Sequence, residues 1–234
     1  MEFRPSLSAQ HTYKCLILGD SGVGKSTFLR RHATGQFEDQ HVPTHGLNVH
    51  TLLLETNYQA VALEMWDIAG DSRHGGLHNG YFFFAKCAII MFDLSVASTA
   101  ASVTRWQQRL NEICGNELPV VVCGNKAELE RMCPELLFRQ QDNLDYCELS
   151  ARAAWNLEEP LQLLCRRLLM HKDLKLISQP VLKPVKDCDY NKDAMKEQMD
   201  SVIQKMLPPK IKASETCEPN EVGDFKRFIV LNEG

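Results

Sequence analysis

The feature that most limits what this chain can fold into is Cys15-Leu16-Ile17-Leu18-Gly19-Asp20-Ser21-Gly22-Val23-Gly24-Lys25-Ser26-Thr27. Residues 13–18 form an apolar run that predicts a buried strand, broken at Gly19. The spacing Gly19-x-x-x-x-Gly24-Lys25-Ser26 is that of a phosphate-binding loop. Residues 27–32 predict a helix, so strand, Gly-rich turn and helix come in the order the motif needs. The backbone N–H groups of residues 20–27, from Asp20, Ser21, Gly22 and Val23 to Thr27, lie at a helix N-terminus. They give fixed positive potential for phosphate oxygens. Lys25 is placed to reach the β- and γ-phosphates, and the Ser26 hydroxyl to bind Mg²⁺. A chance Gly-rich turn is the competing reading, and it offers no reason for the flanking strand and helix.

Composition narrows the class. The 234 residues allow one domain of ordinary size plus an appendage. With 44% hydrophobic and 24% charged residues, the chain reads as soluble and globular. A net charge of −4 gives no reason to expect nucleic-acid binding. Nine scattered cysteines without a Cys-x-x-Cys pair read as reduced core residues of an intracellular protein, not as a disulfide set or zinc site. The N-terminus carries no signal peptide and has Glu2 where myristoylation needs Gly, and the C-terminus is no prenylation box. A soluble protein without a lipid anchor is the expectation.

Taken in order, residues 1–11 read as a disordered arm and residues 12–172 as one nucleotide-binding domain. Residues 45–55 and 60–66 predict two strands joined so briefly that they must be antiparallel. Residues 85–93 and 118–123 are continuous apolar runs, as in a parallel sheet covered on both faces. Residues 144–149 supply a sixth strand. Helical spacing predicts helices over 101–114, 134–141 and 156–170. The fold class is therefore α/β, a six-stranded, mostly parallel, doubly wound sheet with helices on both faces. Residues 173–207 read as a linker followed by a helix over 189–206. The apolar stripe of that helix (Met195, Met199, Val202, Ile203, Met206) must dock, preferentially on its own domain. Residues 208–234 read as a flexible tail with one apolar segment, Phe225-Lys226-Arg227-Phe228-Ile229-Val230-Leu231.

The remaining site candidates follow strand ends, where ligands of such sheets bind. Asp67-Ile68-Ala69-Gly70 closes a strand; Asp67 can hold Mg²⁺ through water, and the Gly70 N–H can face a γ-phosphate. Asn125-Lys126-Ala127-Glu128 falls where a base would lie. An Asn amide can bond the O6 and N7 edge of guanine, and a carboxylate two residues beyond the Lys can accept from N1 and N2. Ser150-Ala151-Arg152 would add backbone donors to O6. Together these point to guanine rather than adenine, against a P-loop kinase or ATPase. His41, His45, His74 and His78 read as solvated loop residues rather than metal ligands.

On these motifs the chain resembles a small GTPase of the Ras superfamily and, within it, the Ran family. The segments that carry the finer resemblance are residues 31–38 (Arg-His-Ala-Thr-Gly-Gln-Phe-Glu), 75–81 (Gly-Gly-Leu-His-Asn-Gly-Tyr) and 87–93 (Cys-Ala-Ile-Ile-Met-Phe-Asp), together with the linker and helix after residue 172. The resemblance implies GTP and GDP as nucleotides with Mg²⁺ as cofactor. It implies a catalytic set of Lys25, Thr44, Gly70 and Asp71, a metal set of Ser26, Thr44 and Asp67, and a Phe37 packed against the base. It also implies a monomeric switch in nucleus and cytoplasm whose GTP form binds importin-β-type transport receptors. A Ran-type exchange factor would load it and a Ran-type GTPase-activating protein would discharge it.

Four departures from the Ran pattern stand out. Asp71 takes the place of the water-orienting Gln; an ionised carboxylate beside a γ-phosphate repels developing charge and mis-aims water, so hydrolysis should be slow. Glu128 replaces an Asp at the base and is one methylene longer. Residues 138–143 lack the family's basic stretch, and its acidic tail is missing, which implies weakened binding to Ran-binding domains. His74 replaces an aromatic residue used by the nuclear import factor, whose binding should also be weakened. The first reading is a slow Ran-like switch; the alternative is a non-cycling GTP-binding decoy or scaffold that occupies Ran partners.

Overall fold

A computed structural model describes residues 11–38, 43–70, 79–132, 144–178, 182–188 and 190–206. Its centre is one sheet of seven strands: β1 (His11–Leu18), β2 (Leu47–Thr56), β3 (Ala60–Ile68), β4 (Cys87–Asp93), β5 (Val120–Asn125), β6 (Leu144–Glu148) and β7 (Leu176–Ser178). Their spatial order is β6-β5-β4-β1-β3-β2-β7. β1 pairs in parallel with both β3 and β4, β4 with β5, and β5 with β6. Only β2 runs antiparallel, to β3 and to β7. The sheet is α/β and mostly parallel, as the apolar runs predict. It has one strand more than expected, because β7 is three residues long and too short to show a pattern in sequence.

Helices α1 (Lys25–Thr34), α2 (Ala97–Cys114), α3 (Glu159–Leu169) and α4 (Lys192–Met206) cover both faces. Successive side chains of a strand point to opposite faces, so β1 feeds two apolar layers. Cys15 and Ile17 join Phe28 and Leu29 of α1 and Leu161 and Leu164 of α3. Leu16 and Leu18 join Val103, Trp106 and Leu110 of α2 and Met195 of α4. Burial on both faces is why β1, β4 and β5 read as unbroken apolar runs. Cys15, Cys87, Cys123, Cys147 and Cys165 are buried free thiols.

Element ends move where tertiary pairing extends a pattern. β1 begins at His11, β3 runs two residues further to Ile68, and β5 runs to Asn125. α2 starts four residues earlier than its spacing suggests, at Ala97. The stretch expected to form a helix over 134–141, the arm 1–10 and the tail 207–234 lie outside the described residues.

α4 docks on its own domain. Met195 is buried, and Val202, Ile203 and Met206 pack against the α2-side layer. Hydrogen bonds tie it as well. Gln198 Oε1 accepts from Arg131 Nε at 3.2 Å, and the Glu148 N–H points to Met199 Sδ at 3.4 Å. Glu148 is fully buried, its charge matched by Arg131 and by the Tyr146 hydroxyl at 2.6 Å.

His32 on α1 packs edge-on against Phe28, 4.8 Å between ring centroids, and its Nε2 lies 3.0 Å from the Leu157 carbonyl. A carbonyl only accepts, so Nε2 carries the proton. Burial pushes the imidazole pKa down to about 4 from 6.5. The unfolded chain therefore binds more protons than the folded one between those values, and stability falls as pH drops through 6.5 towards 4. We expect a loss of about 2 kcal/mol on going from pH 7 to pH 5 from this group. Urea titrations at both pH values should show that loss largely abolished in His32→Gln; an equal loss in the variant contradicts the assignment.

Candidate functional site

Three loops meet at the carboxyl ends of β1, β3 and β5 around a cleft of about 460 Å³. That volume suits a ligand of nucleotide size. The first loop runs from Gly19 into α1. Gly24 caps the helix at φ 100°, a left-handed conformation, and a Cβ there would sit 2.2 Å from Asn125 Nδ2. Glycine is required at this position on both counts. Ser21, Gly22, Lys25, Ser26 and Thr27 line the cleft. Val23 does not; its side chain is buried in the core, and its carbonyl accepts from Asn125. Asp20 faces away too, its Oδ1 accepting from Arg105 Nη2 and Trp106 Nε1, both at 2.9 Å. That tie of the loop to α2 is not visible in the motif.

Lys25 is 5% exposed, and its ammonium donates to the Gly19 and Asp20 carbonyls, each at 2.8 Å. Burial pulls its pKa down to about 8, against the opposing pull of Asp67 and Asp20. A phosphate at the cleft would supply the anion this buried cation lacks.

Asp67, Ser26 and Thr44 come from three separate segments and converge. Ser26 Oγ donates to Asp67 Oδ2 at 2.5 Å. Each hydroxyl has one hydrogen, so the 2.7 Å contact between Ser26 and Thr44 is a donation from Thr44. The Thr44 hydroxyl stands 3.4 Å from Asp67 Oδ2. Asp67 is 1% exposed, and its Oδ1 has no hydrogen-bond partner among the described residues. Burial pushes its carboxyl above the usual carboxylate range, with Ser26 and Lys25 opposing. Two hydroxyls and a carboxylate with an unused oxygen are the hard donors that Mg²⁺ takes. The three residues expected to hold the metal thus fit it.

Gly70 packs directly on the phosphate loop. A Cβ there would lie 2.4 Å from Asp20 C and Ser21 N, both backbone atoms that cannot give way. Asp71 lies outside the described residues.

At the base end, Asn125 acts as a clamp. Nδ2 donates to the Val23 carbonyl at 2.8 Å, while Oδ1 accepts from Lys126 N at 2.8 Å and Ala151 N at 3.2 Å. One amide thereby joins the phosphate loop, the β5 loop and the loop after β6, with one N–H still available to a ligand. Lys126 has φ 64° and pairs with buried Asp93 at 2.5 Å. Glu128 lines the cleft and has a buried Oε2 without a hydrogen bond among the described residues. Ser150 is fully buried; its N–H donates to Trp155 and its hydroxyl accepts from Ala153 N. The Ser150 and Ala151 donors expected to face a base are thus engaged within the protein in this arrangement. The guanidinium groups of Arg31 and Arg152 stand 5.9 and 5.8 Å from the Phe37 ring centroid.

The sequence reading missed the strap over residues 182–188. Arg31 Nη2 donates to the Lys183 carbonyl at 2.6 Å, and Val185 N donates to the Arg152 carbonyl at 3.1 Å. Asp187 and Cys188 then line the base end of the cleft. Both acceptors are backbone carbonyls, so the strap itself carries no residue signature.

Comparison with known protein families agrees with this geometry. The family model described as the Ras family matches residues 14–170, well over half of the chain. The chain belongs to the Ras family of small GTPases, a family of GTP-binding switches. We expect Asn125→Ala, which removes two bonds between loops and one to the neighbouring Lys126 N–H, to weaken GTP and GDP together by about a hundredfold, or ~3 kcal/mol. Equilibrium titration with fluorescent analogues checks this; unchanged affinity contradicts the clamp.

Proposed function

We propose that this small GTPase is a Ran-type switch acting in nucleocytoplasmic transport, in nucleus and cytoplasm, with slow GTP hydrolysis. Lys25 and the loop amides hold the phosphates, and Phe37, Asn125 and Glu128 frame the base. Ser26, Thr44 and Asp67 would hold Mg²⁺, which supplies positive charge to the β- and γ-phosphate oxygens. Thr44 belongs to both the metal set and the first switch segment, so it can report the γ-phosphate to a partner. Importin-β-type receptors are the partners this reading names for the GTP form, with a Ran-type exchange factor and activating protein turning it over.

The observation that carries the Ran-type reading is the chain after α3. There β7, the strap and α4 return to the domain instead of leaving it, with Met195 buried and the strap across the base end. The sequence segments similar to Ran support it.

Asp71 follows Gly70 directly. The resemblance gives that position to the Gln that orients the attacking water; an ionised carboxylate in that role cannot donate to the water and adds negative charge where charge develops. Glu128 and Asp71 together favour the second reading, a decoy that holds GTP and occupies Ran partners without cycling.

One loading experiment separates these. We expect protein charged with labelled GTP and Mg²⁺ to keep the label for hours and to be captured by an importin-β-type receptor, while GDP-charged protein is not. Asp71→Gln should raise the hydrolysis rate at least about tenfold, the scale of a water-positioning group. A fast wild-type rate contradicts the slow switch, and capture indifferent to nucleotide contradicts the transport role.

A further inference from the structure

The turn before β4 displays two adjacent aromatic rings. Phe84 is 90% exposed and Phe83 52% exposed. Phe84 has φ 63°, a left-handed conformation that a bulky side chain resists. The turn is nonetheless held firmly. Phe82 is buried; its N–H donates to Asn79 at 3.0 Å, and its carbonyl accepts from Ala85 N at 3.2 Å and from Cys114 Sγ at 3.3 Å. Lys14 Nζ donates to the Phe83 carbonyl at 2.9 Å, and Lys86 N to the Lys14 carbonyl at 2.9 Å. Two exposed rings on a fixed, strained turn are a pre-organised anchor. Cations flank it: Lys14, lying over Trp66; Lys86; and Arg109, 5.6 Å from the Phe82 ring.

We propose that this anchor is the docking site of the chain's own C-terminal segment, residues 214–231. That segment has matching chemistry. Glu215, Glu218, Glu221 and Asp224 outnumber Lys226 and Arg227, so the segment keeps an excess of carboxylates beside the apolar Phe225, Phe228, Ile229, Val230 and Leu231. The segment can reach. α4 ends at Met206, which packs against the same apolar layer that contains Phe82. The 18 residues from 207 to 224 span up to about 60 Å extended and about 23 Å on average as a coil. The tether also decides occupancy. A short flexible linker gives an effective concentration of order millimolar, enough to fill a contact too weak to form between separate molecules. A second copy of the chain lacks that advantage. An anionic membrane, the other surface that aromatic and basic residues suit, is opposed by the net charge of −4. A docked tail would cover Phe84 and exclude any other partner from the turn.

Photo-cross-linking of the full-length protein tests this. A Phe84→p-benzoylphenylalanine variant and, separately, a Lys86→p-benzoylphenylalanine variant are irradiated as dilute monomers, and the products are mapped by mass spectrometry. The expected product is an internal cross-link into residues 214–231. Its yield should fall about tenfold when Phe228→Asp and Ile229→Asp remove two apolar anchors, and it should fall further in high salt. Cross-links to a second copy that grow with concentration, capture only on anionic vesicles, products elsewhere in the chain, or no product from either position would each overturn the proposal.

Discussion

A single buried carboxylate organises the functional end of this molecule. Asp67 lies at the end of β3, almost without contact to water, where an isolated charge is costly. Its position makes sense only with the hydroxyls of Ser26 and Thr44 beside it, Lys25 nearby, and a cation for the oxygen that no group among the described residues uses. Those three partners come from the first turn of α1, where the phosphate loop ends, and from the segment before β2. Holding Asp67 in place therefore requires β1 and β3 to be neighbours in the right register, with Ile17 opposite Asp67. The seven-stranded order is the means by which that requirement is met.

The rest of the site is fastened by similar cross-links between loops. Asn125 ties the base loop to the phosphate loop and to the loop after β6. Gly70 lies so close to the backbone at residues 19–21 that no side chain could be accommodated. Asp20 anchors the phosphate loop to α2, and Asp93 anchors Lys126. Each bond is worth only ~1 kcal/mol, but together they fix loops that would otherwise each lose entropy on meeting a ligand. Pre-organisation of this kind is what lets a shallow cleft hold a highly charged molecule.

Much of this was legible in the residues. The strand, turn and helix around Lys25 and the apolar runs of β4 and β5 are strong periodic signals, and they placed the site at the strand ends. Asp67 and Asn125 were legible because each follows such a run directly. Other features were not. β7 is three residues of edge pairing against Glu55 and Thr56, too short for alternation to show. The strap over residues 182–188 is held through carbonyls of Lys183 and Arg152, which any residue could supply. The inward donation of Ser150 depends on a bridge to Trp155 and that of Ala151 on the Asn125 side-chain carbonyl oxygen, contacts that composition cannot reveal. The roles of Phe37 and Arg31 are similarly joint properties of α1 and the loop after β6.

Cation dependence of nucleotide binding tests the organising role of Asp67 most directly. The affinity of the purified protein for a fluorescent GTP analogue should be measured in excess Mg²⁺ and again with the metal chelated. If Asp67, Ser26 and Thr44 form a cation-bridged phosphate site, chelation should weaken binding at least about a hundredfold. Equal affinity under both conditions would mean that these oxygens only pair with one another, and the account of the site would be wrong.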